Sequence, residues 1–130
     1  MPFYIVAVGS NIDAETHIQQ AFEKIKEIDS QVSIATLLRT KAVGFTEQAD
    51  FINTAFSFHC ALNAADLKSH LKDIEAQLGR IRTRNKNGPR SIDLDIVKID
   101  KVIVDDDYHQ YDFVKNSVDE LVLKQIIKSK

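Results

Sequence analysis

The chain contains a single cysteine, Cys60, so it can form no disulfide within itself. Cys60 lies in an apolar run and reads as a buried core thiol rather than a nucleophile. No run of about 18 apolar residues is present, which leaves no segment suited to cross a bilayer as a helix. Met1-Pro2-Phe3-Tyr4 leads straight into a strand-like stretch with neither a basic region nor a cleavage site. A cytoplasmic location without a membrane partner is expected. Cysteine and histidine nowhere recur at zinc-ligand spacing. Repeats and low-complexity tracts are missing too. Aromatic residues are absent from 80–99, which removes the stacking platform of a single-strand nucleic-acid binder, and no nucleic-acid partner is expected.

What is present is ordinary for one folded domain over residues 1–130: 44% apolar and 28% charged residues. The net charge of −2 conceals an uneven distribution. Arg80, Arg82, Arg84, Lys86 and Arg90 fall within a stretch free of acids, which calls for an anionic partner. Asp105, Asp106 and Asp107 form an acidic run that reads as a solvated turn.

Phe3 to Val8 is β-branched and aromatic, as a buried strand is, and Gly9-Ser10-Asn11 breaks the pattern. Ile18, Ala21, Phe22, Ile25 and Ile28 recur at three and four residues, predicting a helix from about Ala14 with Asp13 as its cap. Val32 to Leu38 suits a second strand, and Thr40 to Asp50 has the mixed character of a functional loop. Phe51 to Leu62 alternates as a strand, with Phe51, Asn53, Ala55, Ser57 and His59 on one face and Ile52, Thr54, Phe56, Phe58 and Cys60 on the other. Asn63 can cap a second helix with the stripe Leu67, Leu71, Ile74 and Leu78, which Gly79 ends. Ser91 to Ile99 predicts a further strand with Ile92, Leu94 and Ile96 on one face and Asp93, Asp95 and Val97 on the other. Asp100-Lys101 can turn it into Val102 to Val104. Ser117 with Glu120 reads as a capping box for a last helix through Val118, Leu121, Val122 and Ile126. The order strand, helix, strand, strand, helix, strand is that of an α/β (α+β) ferredoxin-like βαββαβ fold, with helices on one face of an antiparallel sheet.

The chemistry concentrates in one segment. Asp93 and Asp95 project side by side, about 6 to 7 Å apart along a strand. Their repulsion is relieved by a divalent cation or by flanking arginines. Magnesium suits them, because it takes oxygen ligands and is usually held by one or two carboxylates together with substrate phosphates. A bare Asp-x-Asp also fits a solvated strand face. The basic loop, joined to the pair by Gly88-Pro89, brings phosphate ligands within reach of the same triphosphate, since arginine offers a planar fork for phosphate oxygens.

Glu75-Ala76-Gln77-Leu78-Gly79-Arg80-Ile81-Arg82, followed by Gly88-Pro89-Arg90-Ser91-Ile92-Asp93-Leu94-Asp95-Ile96, resembles the signature of the 6-hydroxymethyl-7,8-dihydropterin pyrophosphokinases. Val8-Gly9-Ser10-Asn11, Arg39-Thr40 with Gly44, and Asp50-Phe51-Ile52-Asn53 agree in order and spacing, so the likeness covers roughly residues 3–104. The resemblance implies the ferredoxin-like fold and transfer of pyrophosphate from ATP to the hydroxymethyl oxygen of a reduced pterin, releasing AMP. It further implies two Mg2+ ions on Asp93 and Asp95, and Arg80 and Arg90 on the phosphates. Glu75, Arg82, Lys86 and Ile96 would line the ATP site. Asn53 and the backbone around Thr40, Val43 and Gly44 would hydrogen-bond the pterin, while Phe51 stacks on it. One of the aspartates is a candidate acceptor for the hydroxyl proton, with acidification by the metal as the alternative. A monomer is expected.

Several positions depart from the family pattern. Lys41-Ala42 replaces a pair of prolines, which loosens the loop and sets a charge beside the expected pterin pocket. Asn87 stands where many members have tryptophan. The usual proline-histidine step with its following arginine has Tyr108-His109-Gln110-Tyr111-Asp112-Phe113 as its nearest match, and no arginine follows Arg90. His109 corresponds to the ATP-contacting histidine or is a surface loop residue; Phe113 is a second stacking ring or a core aromatic. Besides an active enzyme, a non-catalytic paralogue that binds nucleotide or pterin and a small RNA-binding domain stand as alternative readings.

Overall fold

The structure, a computed structural model, describes residues 1–41, 50–79 and 91–129. Its elements run β1 (Phe3–Ser10), α1 (Ala14–Lys26), β2 (Ser33–Ile34), β3 (Leu38–Thr40), β4 (Phe51–His59), α2 (Ala64–Gln77), β5 (Asp93–Ile99), β6 (Val102–Ile103), α3 (Asp107–Gln110) and α4 (Asp112–Lys128). The sheet order is β2-β4-β1-β5-β6, with β3 also paired to β4 and every pairing antiparallel. The α+β, βαββαβ expectation therefore holds, extended by a hairpin strand and two C-terminal helices.

Alternation along β1 and β4 sorts side chains onto two cores. Tyr4, Val6 and Val8 join Ile52, Phe56 and Phe58 under α1 and α2, whose Ile18, Ala21, Ile25, Leu67, Leu71 and Ile74 complete that layer; Cys60 is buried in it. On the opposite face Ile5, Ala55 and Val97 meet Val114, Val118 and Leu121 of α4. The helices thus cover both faces, not one. The reason is in α4, whose Val114, Val118 and Leu121 make an apolar stripe wide enough to close the second face, which would otherwise leave Ile5 and Val97 in water.

Local signals explain most boundaries. The Asn63 side chain accepts from the Asp66 amide at 2.9 Å, and Gly79 takes φ 85° just after α2. Asp100, at φ 51°, turns β5 into β6, and its side chain accepts from the Phe3 amide at 2.9 Å. Three expectations need correction. Asp13 sits at the start of α1 but at φ 43° and makes no side-chain cap, because a capping side chain needs extended backbone. The strand expected over 32–38 splits into β2 and β3: the Ala35 amide still donates to the Ala55 carbonyl at 3.0 Å, but the Ala35 carbonyl accepts from Thr54 Oγ1 at 2.9 Å and the Thr36 amide donates to the Glu120 carboxylate at 3.1 Å, so side chains interrupt the ladder there. Ser117 and Glu120 are not a capping box, because α4 already begins at Asp112 and Ser117 is buried within it.

β5 carries a register shift against β1. Ile5 lies opposite Lys98 and Val6 opposite Ile96, leaving Val97 as an extra residue. Before that bulge the pairing is regular, which fixes the placement of Asp93 and Asp95.

Candidate active site

Three adjacent strands bring the predicted residues into rows. Gly9 of β1 pairs with Asn53 on one side and with Asp93 on the other. One row deeper, Ala7 pairs with Ala55 and with Asp95. Since alternate residues share a face, Phe51, Asn53, Asp93 and Asp95 all project toward the side that α4 covers. Small residues at the centre of both rows leave room above the sheet. A Cβ on Gly9 would lie 3.1 Å from Asn53 Oδ1, so only glycine keeps that space without moving the amide.

The space is a cavity of about 390 Å³. Gly9, Thr40, Phe51, Asn53, Asp93 and Phe113 line it, together with Lys41, Asp107 and Tyr111 from its rim. Asn53 Nδ2 donates to Thr40 Oγ1 at 2.6 Å, which orients the amide toward the cavity. The Tyr111 and Phe113 rings lie 5.4 Å apart, tilted by 32°. An apolar wall, stacking rings and a few oriented polar groups suit a flat heterocycle.

Asp93 and Asp95 are both half-buried. Burial, then the charge of Asp93, push the Asp95 carboxyl up to about 6, with Glu75 and Asp105 adding to the rise and Lys72 opposing it. Among the described residues no group of three or more His, Cys, Asp or Glu side chains could hold a metal. A pair of oxygen ligands on one strand face nevertheless fits magnesium, which completes its shell with phosphate and water, and does not fit zinc.

Glu75 reaches the same strand from beneath. Its side chain is only 2% exposed, Oε2 accepts from the Leu94 amide at 2.7 Å, and Oε1 lies 3.3 Å from Lys72 Nζ. Ser10 Oγ donates to the Ser91 carbonyl at 2.5 Å, tying the end of β1 to the approach to β5.

A model of the 7,8-dihydro-6-hydroxymethylpterin-pyrophosphokinase family matches residues 5–123. The chain belongs to this family. It is 36% identical over 93 residues to the 2-amino-4-hydroxy-6-hydroxymethyldihydropteridine pyrophosphokinase of Aquifex aeolicus, a match that covers 71% of this chain and 58% of that protein. It is also 36% identical over 95 residues to the enzyme of the same name from Bacillus subtilis, covering 71% and 56%. The Haemophilus influenzae enzyme of that name is 28% identical over 122 residues, covering 84% and 74%. The chain thus spans little more than half the length of the first two relatives it matches.

Within this pyrophosphokinase framework the structure brings Thr40, Phe51, Asn53 and Asp93 to one cavity, with Asp95 in the next row. Ile96 turns the other way and packs against the core under α1 and α2. His109 is exposed on α3, its ring 5.1 Å from that of Tyr108, and does not line the cavity. Val43, Gly44, Arg80, Arg82, Lys86, Asn87 and Arg90 lie outside the described residues. Phe113 lines the cavity while also packing on the α4 core.

Sequence reasoning missed Tyr111 and misread Asp107. Asp107 begins α3 and lines the cavity instead of sitting in a solvated turn. Its carboxyl is raised by burial, then by Asp105, Asp106 and Asp93. A run of three aspartates carries no sign of which one turns inward; the helix that starts there does. Lys41 lines the cavity, as its place beside Thr40 suggested.

Proposed function

We propose that the chain transfers pyrophosphate from ATP to 6-hydroxymethyl-7,8-dihydropterin, giving AMP and the pterin diphosphate, with magnesium held by Asp93 and Asp95. The observation that carries the reading is the row Asn53–Gly9–Asp93, which joins an amide suited to a heterocycle edge and a carboxylate suited to a metal across one glycine. Membership of the pyrophosphokinase family supports it independently.

In this reading Phe51 stacks on the pterin while Asn53, held by Thr40, reads its edge. Asp93 is the carboxylate on the acceptor side, because it lines the cavity and lies beside Asn53; Asp95 stands on the side away from it. Two magnesium ions, once bound, would neutralise charge on the phosphates and polarise the attacking hydroxyl. Arg80 and Arg90 are assigned to the phosphates, and Arg82 and Lys86 to the rest of the nucleotide. The protein's own task is positioning: the acceptor oxygen and the leaving AMP oxygen must lie in line with the β-phosphorus. A monomer belongs to this reading. A cytoplasmic site of action belongs to the same proposal, because ATP and magnesium are supplied there.

A second reading, a paralogue that binds nucleotide or pterin without turnover, is favoured by Tyr108-His109-Gln110-Tyr111-Asp112-Phe113, which holds no arginine where the family pattern has one. Measuring AMP release with ATP, magnesium and the pterin separates them. Steady turnover supports the transferase, whereas calorimetric binding without AMP supports the paralogue.

A further inference from the structure

We propose that Glu75 is a positioning residue for the Asp93/Asp95 pair, acting through the backbone of Leu94 and held in place by Lys72, and not a nucleotide contact. The inference rests on the proposed metal role of those aspartates.

Leu94 is the residue between the two carboxylates. Its side chain is buried in the core under α1 and α2, while β5 is paired on one side by β1. On its other side the partner strand β6 reaches only Lys98 and Ile99. Among the described residues no strand pairs the stretch carrying Asp93 and Asp95 on that side, and the Leu94 amide is met there by Glu75 Oε2 at 2.7 Å. A charged acceptor makes a shorter and stronger hydrogen bond than a neutral one, and a buried amide left without a partner is costly.

Glu75 is placed for this by α2. It follows Ile74 and lies one turn after Leu71, so the stripe that anchors the helix in the core also fixes the carboxylate against β5. Lys72, three residues earlier, lies 3.3 Å from Oε1. A carboxylate 2% exposed and turned onto a backbone amide is oriented away from solvent and toward the strand. The consequence is a clamp from α2 that holds the twist and spacing of the metal-bearing strand.

The test compares Glu75→Gln with Glu75→Asp in the full chain. Glutamine can still accept from Leu94 without the charge. Aspartate keeps the charge but withdraws its oxygens by about 1.5 Å, one carbon–carbon bond. Three readouts are taken: Leu94 amide hydrogen exchange, Mn2+ affinity followed by its electron paramagnetic resonance signal with no nucleotide, and kcat with KM for ATP. Positioning predicts that Glu75→Gln stays within about threefold of the parent chain throughout. Glu75→Asp should exchange Leu94 at least about tenfold faster and lose about tenfold in Mn2+ affinity and kcat, with KM for ATP moving less than about threefold.

A raised KM for ATP in Glu75→Gln would show a nucleotide contact and overturn the proposal. Losses in Glu75→Gln as large as or larger than those in Glu75→Asp would show that position alone does not account for its role, and unchanged Mn2+ affinity in Glu75→Asp would leave only a structural role; either result overturns it. Mn2+ failing to bind the parent chain overturns it too, because no metal pair would exist to position. Absence of AMP release alone would count against the proposed reaction and not against the clamp, which the exchange and Mn2+ readouts test separately.

Discussion

Asn53 and Asp93 lie on neighbouring strands of β1, each directly opposite Gly9. The relationship puts the proposed acceptor amide and the proposed metal carboxylate Asp93 in one sheet row, so a change at the glycine reaches both. A methyl group at Gly9 would meet Asn53 Oδ1 at 3.1 Å, and Asn53 is already committed to Thr40 at 2.6 Å. Gly9→Ala is expected to raise KM for the pterin about tenfold while leaving KM for ATP nearly unchanged, at a stability cost of about 1 kcal/mol. Steady-state kinetics with each substrate varied in turn checks this.

Removing the amide tests recognition more directly. Asn53→Leu keeps the side-chain bulk but leaves nothing to read a heterocycle edge, so pterin affinity should fall about tenfold to a hundredfold. Thr40→Val removes only the orienting hydroxyl and should cost less, about threefold to tenfold. Calorimetric titration with the pterin in the presence of a non-hydrolysable ATP analogue measures both.

Phe113 serves the cavity and the α4 core together. Phe113→Leu retains most of the buried apolar area and should fold with a loss of about 1 kcal/mol or less, yet weaken pterin binding about threefold to tenfold through loss of ring stacking. Thermal denaturation paired with pterin titration separates the two effects.

Asp95 gives a pH dependence of defined sign. Its carboxyl is raised to about 6, first by burial and then by Asp93. The folded chain therefore holds a proton there that the unfolded chain releases, and this group's contribution to stability falls as pH rises from about 4 to about 6, then levels off. Asp95→Asn should remove that slope and raise the unfolding free energy at pH 7, without magnesium, by about 1–2 kcal/mol while abolishing metal binding. Denaturant titrations of both chains across pH 4 to 8 give the difference.

The sheet face that matters could be read in advance because β4 alternates strictly. Phe51 and Asn53 had to share a side, and Asp93 and Asp95 likewise, whichever strands lay between them. The cap at Asn63 and the stop at Gly79 were local signals of the same kind. The Ser117 and Glu120 pair mimicked a helix start, but Glu120 instead reaches Thr36 across 84 positions of sequence, a contact no local spacing encodes. The closure of the second sheet face by α4, the inward turn of Asp107 and the clamp from Glu75 depend on tertiary packing in the same way.

The most direct measurement follows isotopically labelled phosphorus from ATP incubated with 6-hydroxymethyl-7,8-dihydropterin and magnesium, with label at the β-phosphate in one sample and at the γ-phosphate in another. Both labels should appear together on the pterin, with unlabelled AMP released, and Asp93→Ala should prevent the transfer. Movement of the γ label alone with formation of ADP, or no transfer from either sample, would contradict the account.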